Sequence, residues 1–86
     1  MHKILFFYSQ YCAVCAHIRK IFEEVLSEFD DHFSVEWIND ENPLIMREYN
    51  VLSLPTIIIG THRLSSAIDQ DSIIHAILDT LKKDIG

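Results

Sequence analysis

The sequence contains few of the residues that crosslink a chain or interrupt regular structure. Its 86 residues include two cysteines, two prolines and two glycines. No apolar run approaches the roughly 18 residues of a transmembrane helix, and repeats and linker-like Gly/Ser/Pro stretches are missing. These absences argue against a disulfide-stapled fold, a membrane span and a string of linked modules. We therefore expect residues 1–86 to form a single domain.

Basic residues are also scarce. Seven lysines and arginines face 13 acidic residues, which gives a formal net charge of −6. The acidic residues are dispersed along the chain and are typical of solvated surfaces. This balance indicates a soluble protein and disfavours nucleic acid or an anionic membrane as a partner.

The amino-terminal segment offers no secretory signal. Met1-His2-Lys3 is followed by only five apolar residues, and no small-residue cleavage site comes after them. We therefore expect a cytoplasmic location. Because cytosolic thiols are kept reduced, two closely spaced cysteines there are more consistent with catalysis or metal binding than with a structural disulfide.

Hydrophobic periodicity predicts the element order β-α-β-α-β-β-α. The nearly continuous apolar run at 3–8 indicates a central strand covered on both faces. The remaining predicted elements are a helix over about 14–29, a strand at 33–37, a short helix at 43–49, a hairpin of strands 56–59 and 62–65, and a final helix that follows Asp69 and contains Lys82 and Lys83 in its last turn. This order predicts an α/β fold with a four-stranded mixed sheet flanked by three helices.

The two cysteines form the motif Cys12-Ala13-Val14-Cys15 at the predicted junction between a strand and a helix. Free N–H groups and the dipole at a helix N-terminus favour a thiolate, which is the nucleophile of disulfide exchange. We expect Cys12 to be the attacking nucleophile and Cys15, one turn into the helix, to be the more buried resolving thiol. The cycle requires no cofactor. A metal site is the weaker interpretation, because beyond the pair only His17 is close in sequence.

The element order, Cys12-x-x-Cys15 and the later Leu54-Pro55-Thr56 together resemble the thioredoxin-like superfamily in its minimal, glutaredoxin-sized form. The resemblance implies that Pro55 is cis and lies against the cysteines, and that the backbone of Leu54 pairs with bound substrate. From the residues alone, a trans proline that begins a strand is the alternative. Tyr11 is a candidate substrate platform beside Cys12, with packing over the loop as its alternative.

Several positions depart from the patterns of this superfamily. Phe6 stands where thioredoxins carry a buried aspartate, and Ser65-Ser66 replaces the Gly-Gly that approaches glutathione in glutaredoxins. Asp69 is expected to cap the last helix rather than to meet a ligand.

We therefore predict a thiol-disulfide oxidoreductase that acts on protein or low-molecular-weight disulfides as a monomer. An unidentified reductase or glutathione would be its electron donor. Two alternatives stay open at this point. The first is a redox-sensing or metal-binding module on the same fold, and the second is a glutathione-dependent glutaredoxin.

Overall fold

The computed structural model describes residues 2–29 and 31–85, and it confirms the predicted order of elements. The elements are β1 (His2–Tyr8), α1 (Ala13–Leu26), β2 (Phe33–Asn39), α2 (Pro43–Glu48), β3 (Thr56–Ile59), β4 (His62–Leu64) and α3 (Gln70–Ile85). None of the helices in these described ranges is long and apolar enough to cross a membrane.

The four strands form one mixed sheet in the order β2-β1-β3-β4. Strand β1 runs parallel to β2 and antiparallel to β3, and β4 pairs antiparallel with β3. The inner position of β1 explains its continuous apolar run, since Ile4, Leu5, Phe6 and Phe7 are all buried. The sheet therefore has the mixed arrangement that the sequence predicts.

Side chains from both faces of the sheet contribute to the core. On one face, α1 and α3 pack against β1 and β3 around Phe6 and Phe22, both fully buried. On the other face, Leu5, Phe7 and Ile38 pack with residues of the short helix α2. The loop that leads into α1 therefore begins at the carboxyl end of a strand that is covered on both sides.

Helix α1 ends earlier than its apolar periodicity predicts. The periodicity continues to Phe29, but the helix ends at Leu26. The hydroxyl of Ser27 donates to the carbonyl of Glu24, and the next amides bond to carbonyls three residues back, which tightens the chain into a turn. Phe29 still packs against the core from this turn.

The β3–β4 hairpin has the predicted two-residue turn at Gly60-Thr61, with Ile59 paired to His62. Gly60 has a φ of 59°. A Cβ atom there would also lie 2.8 Å from the hydroxyl oxygen of Thr80 on α3. Glycine is therefore favoured at position 60 for two reasons: the turn needs a positive φ there, and α3 leaves no room for a side chain.

Candidate dithiol site

The site begins where β1 ends at Tyr8 and the chain turns into α1. The hydroxyl of Ser9 accepts a hydrogen bond from the amide of Tyr11 at 3.3 Å, and the carbonyl of Ser9 accepts one from the amide of Cys12 at 3.2 Å. Cys12 has extended backbone angles (φ −104°, ψ 105°) and is the N-cap of α1. These local bonds fix the first cysteine just before the first turn of the helix.

The sulfur of Cys12 itself caps α1. Its Sγ accepts a hydrogen bond from the amide of Cys15 at 3.1 Å, which is the bond that a serine or aspartate side chain makes at this position of other helices. The amide would otherwise be one of the unpaired donors at the helix start. A negatively charged sulfur would strengthen this bond, so the local geometry favours the thiolate of Cys12.

The two cysteines differ in exposure but lie within bonding distance. Their Sγ atoms are 2.50 Å apart and their Cα atoms 5.2 Å apart, a separation that disulfides ordinarily span. Cys15 is 2% exposed, whereas Cys12 is only half-buried. The arrangement can therefore pass between a dithiol and a disulfide, and Cys12 is the more solvent-exposed of the two residues.

A groove of about 260 Å³ opens beside the sulfurs, and we call it the cysteine groove. It is lined by both cysteines together with Tyr8, Ser9, Gln10, Ala16 and Arg19. Sequence reasoning did not assign Arg19 to the site. The signal was its spacing, because a residue four positions after Cys15 lies on the same face of a helix.

Leu54 and Pro55 lie in a neighbouring groove, also about 260 Å³, that they share with Val14 from between the cysteines. We call it the proline groove. The other lining residues are Ile18, Ser65, Ser66, Ala67 and Ile68. The Leu54–Pro55 peptide bond is cis, and Pro55 is buried while Leu54 is partly exposed. The structure therefore brings the two predicted substrate-binding residues together with the segment between Cys12 and Cys15.

The loop that carries Pro55 is held at both ends. The hydroxyl of Thr56 donates to the carbonyl of Ser53 at 2.7 Å. Farther back, the guanidinium of Arg63 on β4 donates to the carbonyls of Tyr49 and Asn50, where α2 has just ended. These bonds connect the proline loop to the β3–β4 hairpin.

Tyr11 is 88% exposed. It directly precedes Cys12 in the sequence but is not among the residues that line either groove. Its exposure contradicts the alternative that it packs over the loop. The residue before the capping cysteine thus exposes a large aromatic surface to solvent.

Two other residues that the sequence singles out, and the groups of possible metal ligands, can be described directly. Phe6, at the position of the thioredoxin aspartate, is fully buried with its ring 5.3 Å from that of Phe22. Asp69 caps α3, because its carboxylate accepts from the amide of Ser72 at 2.8 Å. Among the side chains that the structure describes, no three from histidine, cysteine, aspartate or glutamate are grouped so that they could hold a metal ion.

Comparison with known proteins relates the whole of this arrangement to one family. The family model described as Thioredoxin matches residues 2–83. Thioredoxin of Methanocaldococcus jannaschii is 36% identical over 77 residues, which cover 87% of this chain and 91% of that protein. Thioredoxin of Pyropia yezoensis is 33% identical over 54 residues, covering 62% of this chain and 50% of its own length. The chain thus matches only about half the length of that relative.

Solved structures agree on the fold. Thioredoxin 1 from Thermosipho africanus superposes with a TM-score of 0.83 at 24% identity and covers 98% of this chain and 99% of its own. Thioredoxin-2, described as a component of the malaria parasite protein secretion machinery, also gives 0.83, at 20% identity over 92% of this chain and 82% of its own. From the family match, the relatives and the Cys12–Cys15 pair, we conclude that this chain belongs to the thioredoxin family and is a dithiol disulfide oxidoreductase.

Proposed function

We propose that the chain exchanges disulfides with Cys12 as the attacking nucleophile and Cys15 as the resolving thiol. The observation that carries this proposal is the hydrogen bond from the Cys15 amide to the Cys12 sulfur at the start of α1. It stabilises a thiolate on the more exposed of the two cysteines, where a substrate disulfide can approach. The 2% exposure of Cys15 suits a thiol that reacts only with its neighbour.

The reaction proceeds in two exchanges. The Cys12 thiolate attacks one sulfur of the substrate disulfide, which forms a mixed disulfide and releases the other substrate sulfur as a thiolate that takes up a proton. Cys15 then loses its proton and attacks the Cys12 sulfur, which releases the second substrate thiol. The substrate gains two electrons, and the Cys12–Cys15 pair loses them by forming its disulfide. A reductase or glutathione then returns the two electrons.

The proline groove is the proposed binding site for the polypeptide chain of the substrate. Val14, Leu54 and Pro55 give it an apolar floor next to the dithiol, and the exposed Tyr11 adds a contact surface beside Cys12. The polar groups of the Leu54 backbone would pair with an extended substrate segment. We therefore propose protein disulfides as the main substrates of a monomeric, single-domain enzyme, with the cytoplasm as its compartment.

The decisive experiment is the reduction of insulin by dithiothreitol, followed as turbidity. The chain should accelerate precipitation, and Cys12→Ser should reduce the rate to that of dithiothreitol alone. Mixed with insulin in the absence of dithiothreitol, Cys15→Ser should accumulate a mixed disulfide that added dithiothreitol dissolves. Acceleration that persists in Cys12→Ser would overturn the assignment. A redox-sensing or metal-binding module would show no cysteine-dependent acceleration at all.

A glutathione mixed disulfide distinguishes the glutaredoxin alternative. A glutathione-dependent enzyme reduces it through one thiol, so its activity would survive Cys15→Ser. The proposed dithiol mechanism loses turnover in that variant, because the second exchange needs the Cys15 sulfur.

A further inference from the structure

Arg19 is the charged side chain of the cysteine groove. Among the described residues that line this groove, the others are the two cysteines, alanine or uncharged polar residues. Arg19 projects from α1 one turn beyond Cys15, so a substrate that reaches the sulfurs also reaches the neighbourhood of its guanidinium.

The guanidinium of Arg19 is held in place by two contacts. Its central carbon lies 4.1 Å from the ring centroid of Trp37, which is a cation–π arrangement. Its Nε donates to the carboxylate of Glu23 at 2.7 Å. Trp37 is itself fixed, because its ring lies 4.9 Å from that of Phe6 and 5.8 Å from that of Phe22. The orientation of Arg19 is therefore set before any substrate binds.

These contacts leave most of the donors of Arg19 unused. A guanidinium carries five N–H groups, and Glu23 accepts only from Nε. The two terminal nitrogens have no acceptor among the backbone and side-chain atoms that the structure describes, and the side chain is 46% exposed. Two terminal N–H groups in one plane match the two oxygens of a carboxylate.

We propose that Arg19 is a specificity-determining residue that binds the carboxylate of an acidic residue adjacent to the reacting cysteine of a protein disulfide. This inference rests on the proposed function, since it concerns the substrate that approaches Cys12. Glu23 neutralises part of the charge of Arg19 and water reaches the site. The expected preference for a carboxylate over an amide is therefore moderate, about threefold to tenfold.

Two disulfide peptides that differ only in glutamate or glutamine next to the attacked cysteine test the proposal. The unmodified chain should reduce the glutamate peptide with the higher kcat/KM by about threefold to tenfold. Arg19→Gln should abolish this preference, so that the glutamate and glutamine peptides are reduced with the same kcat/KM. Arg19→Lys should keep part of the preference, because it retains the charge but loses the planar pair of donors.

Lys20 provides the matched control. It is the neighbouring exposed cation on α1 but does not line the cysteine groove, so Lys20→Gln removes the same charge from the protein. This variant should keep the preference for glutamate. An equal loss in Lys20→Gln and Arg19→Gln would mean that only overall charge matters, and it would overturn the proposal.

A binding measurement separates this inference from the proposed chemistry. The oxidised chain is titrated with the same peptides carrying serine for cysteine, and the NMR signal of the Arg19 Nε–Hε group is followed. A shift of this signal that is larger with the glutamate peptide supports the carboxylate site even if neither disulfide peptide is reduced. Equal responses to both peptides refute it, while Cys12-dependent reduction of both would leave the proposed function intact.

Discussion

The amide nitrogen of Cys15 lies 3.1 Å from the Sγ of Cys12, so the sulfur of one cysteine is the cap of the helix that contains the other. Catalysis and local folding therefore share a single atom. A thiolate accepts this hydrogen bond more strongly than a thiol and also meets the positive end of the helix dipole. A change in the charge or bonding of the Cys12 sulfur consequently changes the strength of the hydrogen bond that it accepts in the first turn of α1.

The first prediction concerns the thiol of Cys12 in the reduced chain. We expect its pKa to lie below that of an unperturbed cysteine, because the capping bond and the helix dipole favour the charged form. The measurement is the rate of alkylation by iodoacetamide as a function of pH in Cys15→Ser. In Cys12→Ser, the buried Cys15 should react slowly throughout. An unshifted pH profile in Cys15→Ser would show that the helix terminus does not activate the sulfur.

The second prediction concerns Phe6, which occupies the position of the thioredoxin aspartate as part of the core. Its ring is fully buried and lies 4.9 Å from that of Trp37. Phe6→Ala should lower the free energy of unfolding by about 3–5 kcal/mol, because it removes buried apolar area and leaves a cavity. Denaturant unfolding followed by the fluorescence of Trp37 measures the change.

Leu78 supplies the control for Phe6. It is on α3 and 51% exposed, so Leu78→Ala should change the free energy of unfolding by only about 0.5 kcal/mol. Similar losses in both variants would mean that Phe6 does not hold the core in the way that its burial indicates.

Most of the fold could be predicted from the sequence because the strands are encoded by residues that are adjacent in the chain. The apolar run at the start of the chain predicts β1, and the β-branched residues Thr56–Ile59 predict β3. Gly60-Thr61 predicts the turn that follows β3. The end of α1 could not be predicted from periodicity, since Phe29 continues the apolar pattern while the side chain of Ser27 bonds back to the helix.

The candidate site was predictable only where it depends on neighbours in sequence. The positions of Cys12 and Cys15 at a helix start follow from the pattern around them. The spacing of four residues from Cys15 could have placed Arg19 on the same helix face, but the orientation of its guanidinium depends on Trp37, which β2 brings against α1, and no local pattern encodes that contact. The same holds for Arg63, whose two acceptors lie just after the end of α2.

The third prediction concerns the clamp between Arg63 and the end of α2. Its guanidinium donates to the carbonyls of Tyr49 and Asn50, where the helix dipole is negative. Arg63→Gln should lower the free energy of unfolding by about 1 kcal/mol, since these are charge-assisted bonds at an exposed site. It should also speed amide exchange at Val51, whose N–H donates to the carbonyl of Met46 at 2.9 Å.

Arg47 is the control for this clamp. It is the basic residue in the last turn of α2 and is exposed, and it makes no side-chain hydrogen bond within the described part of the chain. Arg47→Gln should leave the exchange of the Val51 amide unchanged. If both variants accelerate exchange equally, general charge at the helix end, and not the bonds of Arg63, holds the proline loop.

The fourth prediction concerns Asp79, which links α3 to the β3–β4 hairpin. Its carboxylate lies 2.6 Å from Nε2 of His62 and 3.3 Å from Nζ of Lys83. The hydrogen bond with His62 is the main cause, and that with Lys83 the second, of a pKa below the ordinary value of 3.8. The folded state therefore binds the proton of Asp79 less readily than the unfolded chain does.

Linkage fixes the sign of the resulting pH dependence. A carboxyl group with a lowered pKa in the folded state contributes stability that is fully present above 3.8 and is lost as the pH falls through its folded value. Asp79→Asn should therefore be less stable than the unmodified chain at neutral pH, and the difference should shrink in acid. Asp40→Asn, on an exposed turn, should show no such convergence. Denaturant unfolding at a series of pH values measures both variants, and a difference that stays constant into acid would refute the stabilising role of the contacts that the Asp79 carboxylate makes.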